Sequence, residues 1–121
     1  MQSLEMREDE NMLVLSFVDR KITDQQRITQ IDADLQYATG LAADGRVLVD
    51  FAGLSFMSSA MIGALLRFQK KCDGESINVK FCNIGDDIEE VFRTMNLKKV
   101  FSIHKTREQA VKAYTKKGWF G

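Results

Sequence analysis

Two adjacent serines, Ser58 and Ser59, stand where a helix is predicted to begin and where a chemical switch could operate. They lie in the stretch FMSSAMIGALL, residues 56–66, between a short apolar segment and residues that recur at helical spacing. A serine at a helix start can accept a backbone N–H and so stabilise the helix by about 1 kcal/mol. The same position suits a phosphate, because free amides and the positive end of the helix dipole face it. From these residues alone, a helix cap and a phosphoacceptor both remain open.

The chain contains few residues that are typical of a catalytic site. His104 is the only histidine, and Cys72 and Cys82 form no CxxC pair, so the two cysteines are predicted to be buried free thiols. The sequence contains no GxxxxGK[ST] loop, no GxGxxG and no HExxH. We therefore predict no catalytic residue, no metal ligand and no cofactor.

Several charged and aromatic residues have both a structural and a functional interpretation. Asp50 ends a buried strand, where α/β sheets place ligand groups, but a carboxylate that orients the next loop is the simpler expectation. The acidic residues of 86–90 complement the start of a helix. A solvent-exposed helix face is expected for Arg67, Lys70 and Lys71, with a partner's acidic patch as the alternative. Trp119 and Phe120 follow the last predicted helix and either pack back or contact another protein.

Hydrophobic periodicity predicts five strands and four helices in the order β-β-α-β-α-β-α-β-α. The segment 47–51 is apolar almost without interruption, which indicates a central strand covered on both faces. Two capping boxes, Thr23–Gln26 and Thr106–Gln109, mark the first and last helices. The strands are predicted at 3–8, 12–18, 47–51, 77–84 and 100–103. The third helix is predicted to face the core with Ile88, Val91, Phe92 and Met95.

This alternation predicts an α/β fold with a largely parallel sheet of four to five strands and an antiparallel strand at the front. The 121 residues fit a single domain, residues 1–121. The 17 basic and 17 acidic residues balance, so neither nucleic acid nor an anionic membrane is an expected partner. No apolar run approaches the roughly 18 residues of a membrane span. The N-terminus MQSLEMREDEN is too acidic for a signal peptide, so a cytoplasmic location is expected.

The chain resembles an STAS domain of the anti-sigma factor antagonist family. The resemblance is carried by VLVDFAGLSFMSSAMIGALLRFQKK, which is similar to the family's strand, its loop V-x-F-[MI]-D-S-[ST]-G and the helix that follows. The segment KKVFSIHKTREQAV is similar to the family's closing segment, and residues 22–35 fall where the family has its first helix. The resemblance covers nearly the whole chain and implies the STAS fold.

The resemblance also implies a phosphorylation site. In that family a serine or threonine after the loop aspartate is phosphorylated by a partner kinase that also acts as anti-sigma factor. By position the acceptor is Ser59, with Ser58 as the alternative, and a phosphatase that resets Ser59 is a further expected partner. Ser58 replaces the family's aspartate, Ala60 its second hydroxyl residue and Met61 its usual glycine.

The partner surface implied by the resemblance has two parts. The loop before the first helix contributes one part, with a basic stretch where family members often carry G-E-[IL]-D. The serine loop contributes the other part. The partner-binding residues expected from both are Arg20, Lys21, Thr23, Asp24, Phe56, Met57, Ser58, Ala60 and Met61.

Three functions are compared on this basis. The first is a non-enzymatic antagonist that binds a kinase-type anti-sigma factor, frees the sigma factor and is switched off by phosphorylation at Ser59. The alternative is a constitutive STAS interaction or scaffold module without phosphorylation, which the altered FMSSAM loop favours. A small enzyme, or a sensor of a small ligand at the sheet edge, lacks a residue signature.

Overall fold

The computed structural model describes the backbone of residues 2–120 and the side chains of residues 2–114. This part of the chain forms seven strands and four helices. The strands are β1 Leu4–Asp9, β2 Met12–Phe17, β3 Lys21–Ile22, β4 Arg46–Asp50, β5 Phe56–Met57, β6 Asn78–Cys82 and β7 Ile103–His104. The helices are α1 Gln25–Thr39, α2 Ser59–Gly74, α3 Asp86–Thr94 and α4 Arg107–Phe120, and a 3₁₀ turn covers Leu97–Lys99. Trp119 and Phe120, expected to pack back or to contact another protein, lie outside the residues whose side chains are described.

The main sheet has five strands in the order β1-β2-β4-β6-β7. β1 and β2 pair antiparallel, whereas the other three pairings are parallel. This confirms the predicted α/β fold with an antiparallel strand at the front. A separate two-stranded parallel sheet joins β3 to β5.

The central strand β4 is covered on both faces, as its continuous apolar run predicts. Val47 and Val49 are buried in the large core that includes residues of α1, α2 and α3. Leu48 points to the opposite side and packs in a smaller cluster with Ala110 and Tyr114 of α4. Successive side chains of a strand alternate between faces, so an uninterrupted apolar run needs helices on both.

Phenylalanine side chains fill the core near the ends of β4 and β6. Phe51 and Phe81 lie with ring centroids 5.0 Å apart, and Phe81 lies 4.7 Å from Phe101. Phe92 of α3 joins them, 5.4 Å from Phe101. Tilted and edge-on ring pairs of this kind add to the stabilisation from burial. They fix α3 against the sheet beside the serine loop.

The two predicted capping boxes have different outcomes. At α4, Thr106 Oγ1 accepts a hydrogen bond from Gln109 N at 3.1 Å, which confirms that cap. At α1 the prediction of Thr23 is wrong, because Asp24 is the N-cap and its Oδ2 accepts from Arg27 N at 3.0 Å. The short strand β3 ends at Ile22, and Asp24 is still extended with φ −80° and ψ 129°, so the helix begins only after it.

Two predictions near residue 100 are also corrected. Met95 is not inward-facing but 46% exposed, because α3 ends at Thr94 and the chain turns away at Met95. The strand expected at 100–103 is shifted to Ile103–His104, because the 3₁₀ turn Leu97–Lys99 continues into Val100, whose N–H donates to the Leu97 carbonyl.

Candidate functional site

The two-stranded sheet β3–β5 brings together the two stretches that the family resemblance implies for partner binding. Lys21 lies opposite Phe56, and Ile22 lies opposite Met57. Main-chain bonds extend the pairing, since the Ser58 N–H donates to the Ile22 carbonyl at 2.9 Å. The loop before α1 and the serine loop therefore form one continuous surface. The short apolar strand expected directly before the two serines corresponds to β5, whereas β3 was not predicted from the sequence.

Asp50 organises the loop that leads from β4 to β5. Its Oδ1 accepts from Ala52 N at 2.9 Å and from Asn83 Nδ2 at 3.0 Å. Gly53 follows with a φ of +87°, a conformation that a residue with a Cβ rarely adopts. The carboxylate thus orients the loop, as the simpler interpretation of Asp50 expected.

The two serines occupy different environments. Ser58 is the N-cap of α2 by its backbone, and its carbonyl accepts from Met61 N at 3.0 Å and from Ile62 N at 3.3 Å. Its Oγ makes no cap hydrogen bond and is buried without a hydrogen-bond partner in the described part of the chain. Ser59 is the first residue of α2 and is exposed. Ser59 is therefore accessible from the solvent, whereas the Ser58 hydroxyl is enclosed.

The other expected partner-binding residues divide between surface and core. Met57 and Met61 are buried in the main hydrophobic core, so their side chains are not part of the outer surface. Met61 consequently adds no apolar bulk beside Ser59, although a glycine is usual at this place in the family that the sequence resembles. Exposed positions are held by Arg20, Lys21, Thr23, Asp24, Phe56 and Ala60.

The charges around Ser59 are arranged asymmetrically. Arg20 and Lys21 are exposed on the side of β3. The first turn of α2 contains no acidic residue, so its positive dipole end is not offset by a carboxylate of that turn. On the side of β5, α3 packs against the strand and begins with Asp86 and Asp87.

A groove between β5 and α3 was not expected from the sequence. It has a volume of about 390 Å³ and adjoins the serine loop through Phe56. Its lining residues are Phe56, Asp87, Glu90, Val91, Thr94 and Met95. No periodicity could have revealed it, because Met95 lies at the end of α3 and Phe56 in a strand of two residues.

The basic helix face of α2 has the solvent-exposed character that the sequence predicts. Arg67 and Lys70 are exposed, and Lys71 is partly buried. Arg67 Nη2 lies 2.7 Å from Asp32 Oδ2 of α1, which ties the two helices together at the surface. Surface ion pairs of this kind contribute little to stability.

A polar network lies on the α4 side of the sheet, away from the serine loop. Lys80 is buried, donates to Ser102 Oγ at 3.1 Å and lies 5.2 Å from the centre of the Tyr114 ring. Ser102 Oγ is also 3.3 Å from His104 Nε2. Burial and, secondarily, Lys80 lower the pKa of His104. The Tyr114 hydroxyl donates to the carbonyls of Val47 and Asn78, so this network joins α4 to the sheet.

The buried cysteines are chemically protected. Cys72 and Cys82 are free thiols in the interior. Burial, the largest cause for both, raises the pKa of each thiol to about 12. The expectation of buried free thiols is confirmed. Among the described residues no group of three or more His, Cys, Asp or Glu side chains could hold a metal ion, and no described helix is long and apolar enough to cross a membrane.

Comparison with known proteins identifies the class to which this fold and site belong. The STAS domain family matches residues 4–110, so the chain belongs to the STAS domain family. No curated protein sequence matches the chain.

Solved structures agree with this assignment. An anti-sigma-factor antagonist (STAS) domain protein from Planctomyces limnophilus superposes with a TM-score of 0.79 at 23% identity, covering 91% of this chain and 96% of that one. The Bacillus cell fate determinant SpoIIAA in its phosphorylated form gives a TM-score of 0.67 at 19% identity, over 92% and 98% of the two chains. An anti-sigma factor antagonist from Mycobacterium paratuberculosis gives 0.79 at 15% identity, over 91% of each chain. At these identities the similarity concerns the fold.

Proposed function

We propose that this chain is an anti-sigma factor antagonist that binds a kinase-type anti-sigma factor, releases the sigma factor and is switched off by phosphorylation at Ser59. The observation that supports this most directly is the exposed residue Ser59 at the start of α2, beside the buried hydroxyl of Ser58. The antagonists from Planctomyces limnophilus and Mycobacterium paratuberculosis share its fold, and SpoIIAA shares it in a phosphorylated form.

The proposal describes binding without catalysis by this chain. The Ser59 hydroxyl attacks the γ-phosphate of ATP, the terminal P–O bond breaks and ADP leaves, with the metal and base supplied by the kinase. A phosphatase that hydrolyses the phosphoserine would reset the switch. The proposal treats residues 1–121 as one STAS domain that acts in the cytoplasm.

Phosphorylation is compatible with the fold, and its effect would fall on the partner. A phosphate adds about −1.5 to −2 charges at the positive end of α2. The first turn of α2 contains no acidic residue that would repel it. Against a partner surface matched to a neutral serine, a cost of about 3 kcal/mol lowers affinity roughly 100-fold.

The test is phosphate mapping with the kinase-type anti-sigma factors of the same cell. We expect ATP-dependent modification of Ser59 by mass spectrometry, its loss in Ser59→Ala, and weakened binding in Ser59→Asp. Ser58→Ala is the matched control and should still be phosphorylated. No labelling of either serine together with full binding of Ser59→Asp would reject the switch.

The second candidate is a constitutive STAS interaction module. It is favoured by the residues around Ser59, because Ser58 and Ala60 replace the aspartate and the second hydroxyl residue of the family motif. Its expected result is the one that rejects the switch, namely partner binding that neither ATP nor Ser59→Asp affects.

A further inference from the structure

The groove between β5 and α3 carries an apolar surface that the fold leaves open. Phe56 is 44% exposed and Met95 is 46% exposed, and both line it together with the half-buried Val91. Single exposed apolar side chains are common on protein surfaces and need no explanation. Here two large ones border the same depression of about 390 Å³, which is enough for a large apolar side chain of a partner.

The rim of the groove is acidic. Asp87 and Glu90 of α3 line the groove, and both are exposed. Their neighbour Glu89 pairs with Arg93 at 3.3 Å, whereas within residues 2–114 neither Asp87 nor Glu90 has a basic group at ion-pair distance. These two carboxylates are therefore available to cations of a partner.

The groove is continuous with the surface proposed to bind the anti-sigma factor. Phe56 belongs to both, since it is paired with Lys21 in the two-stranded sheet and stands three residues before Ser59. A partner that covers Ser59 and β5 would reach the groove by extending its contact past Phe56.

We propose that this groove extends the partner interface beyond the β3 and serine loops and takes a segment of the anti-sigma factor in which a large apolar side chain is flanked by lysine or arginine. The apolar side chain packs between Phe56, Val91 and Met95, while the flanking cations pair with Asp87 and Glu90. The identity of the partner rests on the proposed function; the chemistry of the segment rests on the groove.

The first experiment measures binding of the unphosphorylated chain to the cell's kinase-type anti-sigma factors. We expect Met95→Glu and the double variant Asp87→Lys/Glu90→Lys each to weaken binding about tenfold or more, as central interface residues do. Val100→Glu is the matched control, because Val100 is also 46% exposed but does not line the groove, and it should leave binding unchanged. Far-UV circular dichroism and urea unfolding establish that the variants are folded.

The second experiment does not depend on any anti-sigma factor. ¹⁵N-labelled protein is titrated with two short peptides, each containing leucine and phenylalanine, one flanked by lysines and the other by glutamates. The lysine peptide should shift the amide resonances of residues 56, 91 and 95, whereas the glutamate peptide should not. Met95→Glu should abolish those shifts, and Val100→Glu should not.

The outcomes separate the two proposals. If an anti-sigma factor binds and Ser59→Asp weakens it but Met95→Glu does not, the groove proposal is overturned and the proposed function stands. If no anti-sigma factor binds, the proposed function fails and the peptide titration alone decides the groove. Equal shifts with both peptides, or none at the groove, overturn the groove proposal.

Discussion

Replacing Ser58 by alanine should not destabilise the protein, although serine at an N-cap normally does stabilise a helix. An N-cap serine that bonds a free amide contributes about 1 kcal/mol. The Ser58 hydroxyl makes no such bond and is buried without a partner. A buried hydroxyl without a hydrogen bond costs about 1–3 kcal/mol of desolvation, so its removal relieves part of that cost. We therefore expect Ser58→Ala to change the free energy of unfolding by between zero and about +1 kcal/mol.

Two caps of the same chain serve as controls for this measurement. Asp24 Oδ2 accepts from Arg27 N at 3.0 Å, and Thr106 Oγ1 accepts from Gln109 N at 3.1 Å. Asp24→Ala and Thr106→Ala should each lower the free energy of unfolding by about 1 kcal/mol. That is a fall of about 4 °C in the melting temperature for a chain of this size.

The assay is urea unfolding followed by far-UV circular dichroism at pH 7, with the three variants and the parent measured side by side. A loss of 1 kcal/mol or more in Ser58→Ala, equal to that of the two controls, would refute the reasoning. It would mean that the Ser58 hydroxyl bonds a helix amide in solution, and the distinction between the two serines would lose its basis.

Three further results are expected. Because the pKa of each buried thiol is raised to about 12, Cys72 and Cys82 should not react with a thiol reagent at pH 8 in native protein and should both react in urea; rapid native labelling would contradict their burial. Burial and Lys80 lower the pKa of His104, so the folded state favours the neutral ring. The free energy of unfolding should therefore have its full value above about pH 6.5 and decrease as the pH falls below it. His104→Gln should lose this dependence when urea unfolding is compared at pH 7.5 and 5.5. Tyr114→Phe removes the bonds to two sheet carbonyls and should cost about 1 kcal/mol or more in the same assay, whereas an unchanged midpoint would show that α4 does not depend on them.

The larger elements could be predicted because their apolar residues follow a regular pattern in the sequence. The continuous apolar run of β4 reflects burial on two faces, and the structure covers the strand on both. In α1, Ile28, Ile31, Leu35 and Ala38 recur at helical spacing, and all four are buried. The sequence pattern also placed a helix start near Ser58 or Ser59, and α2 begins at Ser59. The choice of Ser59 as phosphoacceptor came from the family resemblance and stays a prediction.

The other features depend on contacts between distant parts of the chain, which leave no regular pattern in the sequence. β3 and β5 contain two residues each and exist through main-chain pairing with one another. Thr23 and Asp24 are both good caps, and the end of β3 at Ile22 decides between them. The enclosure of the Ser58 hydroxyl is a property of the folded chain that no local sequence pattern indicates.

The strands β3 and β5 pair through their main chains, while the side chains of Lys21 and Phe56 remain exposed. The main-chain geometry therefore does not depend on these two side chains. Under the proposed function, substitutions at the two positions would change which protein is recognised without changing how the serine loop is held. Where a genome carries several copies of such a domain, duplicated chains can diverge in their choice of partner by a few surface replacements. Parallel signalling routes that share one fold can in this way avoid cross-talk.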